Sequence, residues 1–344
     1  MTTFADGLYQ FGGMPVTPGV PVPFTGKAFW VDPVNGSDGN NGRKPNAAFS
    51  TLYAAHNAAT AGANDVVYLI GNGAASGTAR LSLANAQLID STASAGTLVW
   101  SKNATHLIGI GSVTRVAQRA RIAPPSGTYT QSTFGSGNFV TVSASGCYFS
   151  NFSVFNGFST GGTSQIAWTD TGNRNSYVNA NIAGMGDAAS AQDTGSRSLK
   201  IGSSGSGEHT FINCTIGGDT VTRTVANATL ELAGGTPRNS FINCWFPFMT
   251  SSAGVLGILG TGAACIDRTN LFERCVFSNA IKSTSTTMSV LASLTSASPG
   301  GLLLMKDCTL VGITEFGDTN ALANTYVDGA SVVAATSGIA VNPS

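Results

Sequence analysis

Ionisable residues gather most densely between Gly186 and His209, where Asp187, Asp193, Arg197, Lys200, Glu208 and His209 share a stretch with the run GSSGSG at 202–207. Carboxylates beside Arg or Lys on one exposed groove are what a polysaccharide lyase or glycosidase requires, one acid to donate a proton and a second group to oppose it. The stretch reads as one long loop, and matched positions of neighbouring segments add no second carboxylate to complete a pair. The expectation is a solvated or interface loop, and no residue is assigned to catalysis.

Other constellations are weaker still. Asp32, Asn35, Asp38 and Asn40 have the oxygen chemistry of a calcium loop, but no Glu follows at the required distance, and Asx-turns before a helix account for the same residues. His56, His106 and His209 have no Cys, His or carboxylate at ligand spacing, so no metal is expected. No GxxxxGK[ST] occurs, no GxGxxG opens a helix after a strand, and GSSGSG lacks the strand–turn–helix setting of a nucleophile elbow, so no cofactor is expected. Cys214, Cys244, Cys275 and Cys308 fall on one position of a recurring segment. They are expected to form a core column of small apolar thiols rather than a metal or redox ladder, with an oxidised pair between neighbours as the remaining possibility.

That recurring segment is the strongest signal in the chain. It reads apolar-x-x-small/apolar-x-apolar in Phe149–Val154, Tyr177–Ile182, Phe211–Ile216, Phe241–Phe246, Phe272–Phe277 and Met305–Leu310, at spacings of 28, 34, 30, 31 and 33 residues. A period in this range marks a solenoid, propeller or array. The Gly/Ser/Thr-rich intervals lack a 3.6 periodicity, and paired Gly-His and Trp-Asp blade signatures are absent. A parallel β-helix fits, each turn laying the same short strand above its predecessor, so the fold class is all-β. Further apolar strands at Ala226–Leu232, Val255–Leu259 and Met288–Leu294 indicate at least two parallel faces per turn, and Asn213 and Asn243 are placed at a corner as a stacked amide column.

Three parts are expected. Residues 1–28, with Pro15, Pro18, Pro21 and Pro23, form an extended arm; it is either a disordered tail or a docking arm presenting Phe4, Leu8, Tyr9 and Phe11 to a particle. Residues 29–316 form the β-helix, including a cap at 29–73 made of the strand AFWV, a turn-rich loop, a helix from Thr51 to Ala61 with Ser50 as N-cap and Gly62 after its end, and the buried strand Asp65–Ile70. Residues 317–344 form a C-terminal β segment closing the last coil, which would otherwise offer an unpaired edge.

Composition narrows the partners. The 344 residues carry 17 basic and 17 acidic side chains, for zero formal net charge, and charged residues make up 10%, against the roughly 25% usual for a soluble domain. Such a surface has no footprint for nucleic acid and no basic face for an anionic membrane. The opening twenty residues show neither a basic nor an apolar targeting segment, and no apolar run approaches a membrane span. Free thiols in a cytoplasm fit these features, whereas low-charge Gly/Ser/Thr/Asn-rich β chains are more typical of particle or extracellular proteins.

The segment FWVDPVNGSDGNNG at 29–42, then Pro45, Thr51-Leu52, Ala54-Ala55 and DVVYLIGNG at 65–73, resembles the opening of the right-handed parallel β-helix superfamily of pectate-lyase-like proteins. The family contains polysaccharide lyases and hydrolases as well as phage tailspikes and other virion proteins. The whole chain, including MTTFADGLYQFGG, resembles structural proteins of tailed bacteriophages. The resemblance implies a non-enzymatic virion protein, a homotrimeric decoration or cement protein bound to the major capsid protein of the head. The alternative it implies is a tailspike that recognises, and in some cases cleaves, a bacterial surface polysaccharide. No catalytic residue of the family carries over, because no lyase or hydrolase motif is present. Assembly in the host cytoplasm and location on the virion reconcile free thiols with a particle-like composition.

Overall fold

One residue in the left-handed backbone region divides each recurring segment in two. The third position, held by Asn151, Asn179, Asn213, Asn243, Arg274 and Asp307, has φ between 51° and 55°. Asn and Asp tolerate this conformation better than other side chains. What reads as one short strand is therefore two strands of different sheets joined by a one-residue corner, as in Tyr177, which ends in Ser176–Val178, and Ile182, in Asn181–Ala183. The third-position asparagines do stand at a corner: Asn179 Nδ2 donates to Asn151 Oδ1 one coil away at 3.3 Å, Asn213 is exposed, and Asn243 accepts a bond from Arg274 at 2.7 Å.

The computed structural model describes residues 24–71, 98–111, 120–122, 137–156, 165–202, 205–279, 286–295 and 300–328, with the backbone of Gln10–Phe11, Met14–Pro15 and Ala330–Ser331. Its long strands stack into three parallel sheets. Sheet A has 12 strands, running from Ala28–Val31 through Ser176–Val178, Thr210–Ile212 and Ser240–Ile242 to Thr325–Val327, with Ala330–Ser331 added antiparallel at its edge. Sheet B has 7 strands, from Arg121–Ile122 to Thr309–Val311, and sheet C has 8, from Leu98–Trp100 to Ile313–Gly317. Each coil passes from A to B through the left-handed corner, from B to C through a longer turn, and back to A. The third face escaped sequence analysis because A and B lie within a single recurring segment.

Residues of equal register stack inside. Phe149, Tyr177, Phe211, Phe241 and Phe272 form a ladder of near-parallel rings at centroid distances of 5.0, 4.5, 4.7 and 4.7 Å. These distances match the spacing of adjacent strands, so hydrogen-bond geometry and ring stacking are satisfied together. All five rings are fully buried, and burying each stabilises by about 1.5–3 kcal/mol.

The ends are closed by short helices. Leu52–Ala58 covers the first coil with Leu52 and Ala55 in the core, and its N-cap is Thr51 rather than Ser50, the Thr51 hydroxyl accepting from the Ala54 N–H at 2.9 Å. The helix stops at Ala58 because Ala59 turns to extended backbone. At the other end the coil does not finish at 316: the Asp318-capped helix Thr319–Leu322 leads into Thr325–Val327, another strand of sheet A. Of the proposed docking residues, Phe4, Leu8 and Tyr9 lie outside the described residues, and Phe11 is described by backbone only, paired with Met14. Phe24 is packed on the outside of sheet A, 5.0 Å from the His106 ring and 6.5 Å from that of Tyr148. Among the described residues no helix is long and apolar enough to cross a membrane.

Candidate functional site

The stretch from Asp187 to His209 is not one loop. Asp187 caps the helix Ala188–Ala191, accepting the Ser190 N–H at 2.9 Å, and Arg197 and Lys200 stand on Arg197–Ile201 of sheet C. Strand pairing sends the six ionisable groups to different places. Asp193 accepts the Gly195 N–H at 2.7 Å within its own turn. Arg197 is almost fully buried and donates to Glu231 one coil on at 2.9 Å, while Lys200 reaches the other Glu231 oxygen at 3.1 Å. Glu208 and His209 diverge at a left-handed corner, Glu208 to the outside and His209 into the buried interior.

Glu208 lies on the outside, where sheet C turns into sheet A. Arg174, Glu208 and Arg238 occupy this corner on successive coils, all left-handed, with φ of 57°, 59° and 49°. Arg174 Nε and Arg238 Nη1 each bond Glu208 at 2.6 Å, and these bonds hold its carboxyl below the usual carboxylate range. A carboxylate so held is no proton donor at neutral pH. Beside it runs an open groove of about 590 Å³, lined by Asn103, Ser145, Asn173, Arg174, Glu208 and Pro237. It offers amides, a hydroxyl and a guanidinium, but no second carboxylate.

His209 points inward to a site missed by sequence analysis. Asp170, fully buried, accepts from the Gly172 N–H at 2.9 Å, from Asn175 Nδ2 at 3.0 Å and from the Tyr177 hydroxyl, with His209 Nδ1 3.6 Å away. Trp168 Nε1 donates to the Tyr177 oxygen at 3.0 Å. Burial, then the Asp170 charge, pushes the Tyr177 phenol well up, so it remains a neutral donor. The cluster is sealed from solvent, so its chemistry is structural: it satisfies a buried carboxylate where two coils meet. The available signals were Trp168-Thr169-Asp170 ending an otherwise apolar strand, and Tyr177 at a Phe position of the ladder.

The remaining candidates have local roles. Asp38 accepts from the backbone N–H and hydroxyl groups of both Ser50 and Thr51, and Asp32 from Val34, Asn35 and the Asn35 amide. Asn40 donates to the Ala48 carbonyl. These bonds brace the loop before the capping helix. Among the described residues no group of three or more His, Cys, Asp or Glu is arranged to hold a metal. Cys214, Cys244 and Cys275 are buried and Cys308 half-buried, all four as free thiols. Each lies on the coil after the ladder residue whose carbonyl its Sγ meets, with Cys244 at 3.5 Å from Phe211 O and Cys275 at 3.3 Å from Phe241 O. Burial pushes the Cys244 thiol well up. Replacing Cys244 by Ser is expected to destabilise by about 1–3 kcal/mol through burial of a more polar group. Denaturation with and without reductant checks this, and a melting shift that depends on reductant would contradict a column of neutral thiols.

No protein-family model matches the chain, and no curated protein sequence matches it. Solved structures do. Pectin methylesterase PemA from Erwinia chrysanthemi is 13% identical with a TM-score of 0.53, the match covering 92% of each chain. Pectin methylesterase from Aspergillus niger is also 13% identical, with a TM-score of 0.51 over 90% of this chain and 83% of that one. A chain of Geobacillus virus E2, ORF18, is 11% identical over 77% of this chain and 50% of its own, with a TM-score of 0.44. What the chain shares with the pectin methylesterases is its fold, the right-handed parallel β-helix.

Proposed function

We propose that the chain is a non-enzymatic structural protein of a tailed-bacteriophage virion, a homotrimeric decoration or cement protein seated on the major capsid protein of the head. The observation that carries this reading is the use of the ionisable side chains. Asp187 caps a helix, Arg197 and Lys200 pair with Glu231 across coils, Glu208 is held by two arginines, and His209 and Asp170 are sealed inside. These groups fasten coil to coil and converge on no exposed pair of acids. The resemblance to phage structural proteins and the low charge support the same reading. Closed symmetry is the usual state of such assemblies, and side-by-side coils would cover outward apolar side chains such as Val99, which is 48% exposed. Binding the assembled shell and not its free subunits stabilises the shell with the logarithm of ligand concentration over dissociation constant.

Deleting residues 1–20 is expected to leave a folded β-rich oligomer that no longer attaches to particles, measured by co-sedimentation with heads. Retained attachment would contradict a docking arm. A second reading, recognition of a bacterial surface polysaccharide by a tailspike, is favoured by the groove beside Arg174 and Glu208, and the pectin-acting enzymes that share the fold are consistent with it. In that reading Arg174 and Asn173 bind sugar hydroxyls or carboxylates.

A further inference from the structure

Arg223 is a guanidinium buried among neutral groups. It sits in the turn between Thr215–Ile216 of sheet B and Ala228–Ala233 of sheet C, 2% exposed, with its backbone paired to Thr250 on the next coil. Nε donates to Asn227 Oδ1 at 2.6 Å and Nη1 to Thr229 Oγ1 at 2.8 Å, while Nη2 is buried with no partner. The Phe248 ring centroid lies 5.9 Å from the guanidinium carbon. No carboxylate pairs with Arg223 among the described residues.

The surroundings make the imbalance worse. Arg197 and Lys200 share the single carboxylate of Glu231. Burial, then the charge of Arg197, lowers the Arg223 guanidinium to about 9, which still leaves it charged at neutral pH. The equivalent turn of the preceding coil, just before Arg197–Ile201, holds a second unsatisfied donor. Ser196 Oγ is fully buried without a partner, and the Ser196 N–H and Asn227 Nδ2 converge on the Asp193 carbonyl, each at 3.2 Å. A buried cation lacking a counter-charge is among the costlier features a fold can carry, and water would satisfy the hydrogen bond without neutralising the charge.

We propose that this turn binds a small monovalent anion of the halide class, with Arg223 Nη2 and the Ser196 hydroxyl as its donors. Bound there, a chloride neutralises the guanidinium and fastens the coil carrying Arg223 to the one carrying Ser196, so the site would act as an internal staple in the middle of the solenoid.

Crystals of the full chain grown in bromide test the site directly. An anomalous peak within hydrogen-bond reach of Arg223 Nη2 is expected. In solution the wild-type melting temperature is expected to rise by several degrees with the logarithm of chloride concentration, against gluconate at matched ionic strength. Arg223→Met should lose that dependence. If this variant fails to fold, the wild-type bromide peak and chloride-dependent melting decide the question. Absence of bromide at Nη2, water density in its place, or equal melting in chloride and gluconate would overturn the proposal.

Discussion

Replacing Phe241 by Ala is expected to cost about 3–5 kcal/mol, the range for removing a fully enclosed aromatic ring. Phe241 is 0% exposed and lies 4.7 Å from Phe211 on one side and 4.7 Å from Phe272 on the other, with Phe246 edge-on at 5.9 Å. Neighbouring coils cannot collapse into the space without breaking the strand spacing that their hydrogen bonds impose, so most of the cavity should persist. A solenoid couples only adjacent repeats, so the weakening should appear first in the coils spanning Phe211 to Phe277. Equilibrium denaturation gives the size and hydrogen exchange the location. Exposed Thr309 of sheet B provides the contrast, with Thr309→Ala expected to stay within about 0.5 kcal/mol of wild type. A Phe241→Ala cost below about 1 kcal/mol would contradict a rigid stacked core.

Acid is expected to loosen the protein through its histidines. Each of the three accepts a backbone N–H from a neighbouring coil: His56 Nε2 from Ser101 at 3.2 Å, His106 Nδ1 from Tyr148 at 3.0 Å, and His209 Nδ1 from Asn175 at 3.2 Å. The His209 donor belongs to the preceding coil, but the requirement is the same, since an accepting ring nitrogen must be unprotonated. Burial lowers His56 to about 4, helped by the Lys102 charge, and lowers His106 to about 4 against the Asp65 charge. Burial lowers His209 as well, against the charge of Asp170. The unfolded chain therefore takes up these protons first. Stability is complete above the ordinary histidine value of about 6.5 and falls as the pH drops through about 4, by about 3 kcal/mol for each of His56 and His106. Calorimetric melting between about pH 7 and pH 4.5 should show a progressive fall in melting temperature. A flat profile across that window would contradict neutral, accepting histidines.

Much of this architecture was legible in the sequence because the same residue types return at one coil's spacing. Phe211, Phe241 and Phe272, and the cysteines three residues after each, mark the ladder and the column beside it. The corner between sheets A and B was legible only in part. Asn151, Asn179, Asn213, Asn243 and Asp307 are of types that tolerate a left-handed backbone, but Arg274 adopts it without that signature. The ionisable stretch at 187–209 misled because proximity along the chain is not proximity in a solenoid, where a residue's nearest neighbours lie about one coil away. Glu231 is thus the partner of Arg197, and Glu208 meets Arg174 and Arg238, 34 and 30 residues away. Asp170 and Arg223 were invisible for a related reason. Each is a single charged residue whose burial follows from its register against neighbouring coils, which no local pattern records.

The most direct test of the proposed function is the copy number of this protein in purified phage particles, measured by quantitative mass spectrometry as a molar ratio to the major capsid protein. A ratio comparable to that of the shell subunit is the result expected of a decoration protein, and would direct attention to the contact between residues 1–28 and the shell. A handful of copies per particle, or none, would contradict that assignment. A handful would instead favour the tailspike reading, in which the groove between Arg174 and Glu208 meets a surface polysaccharide.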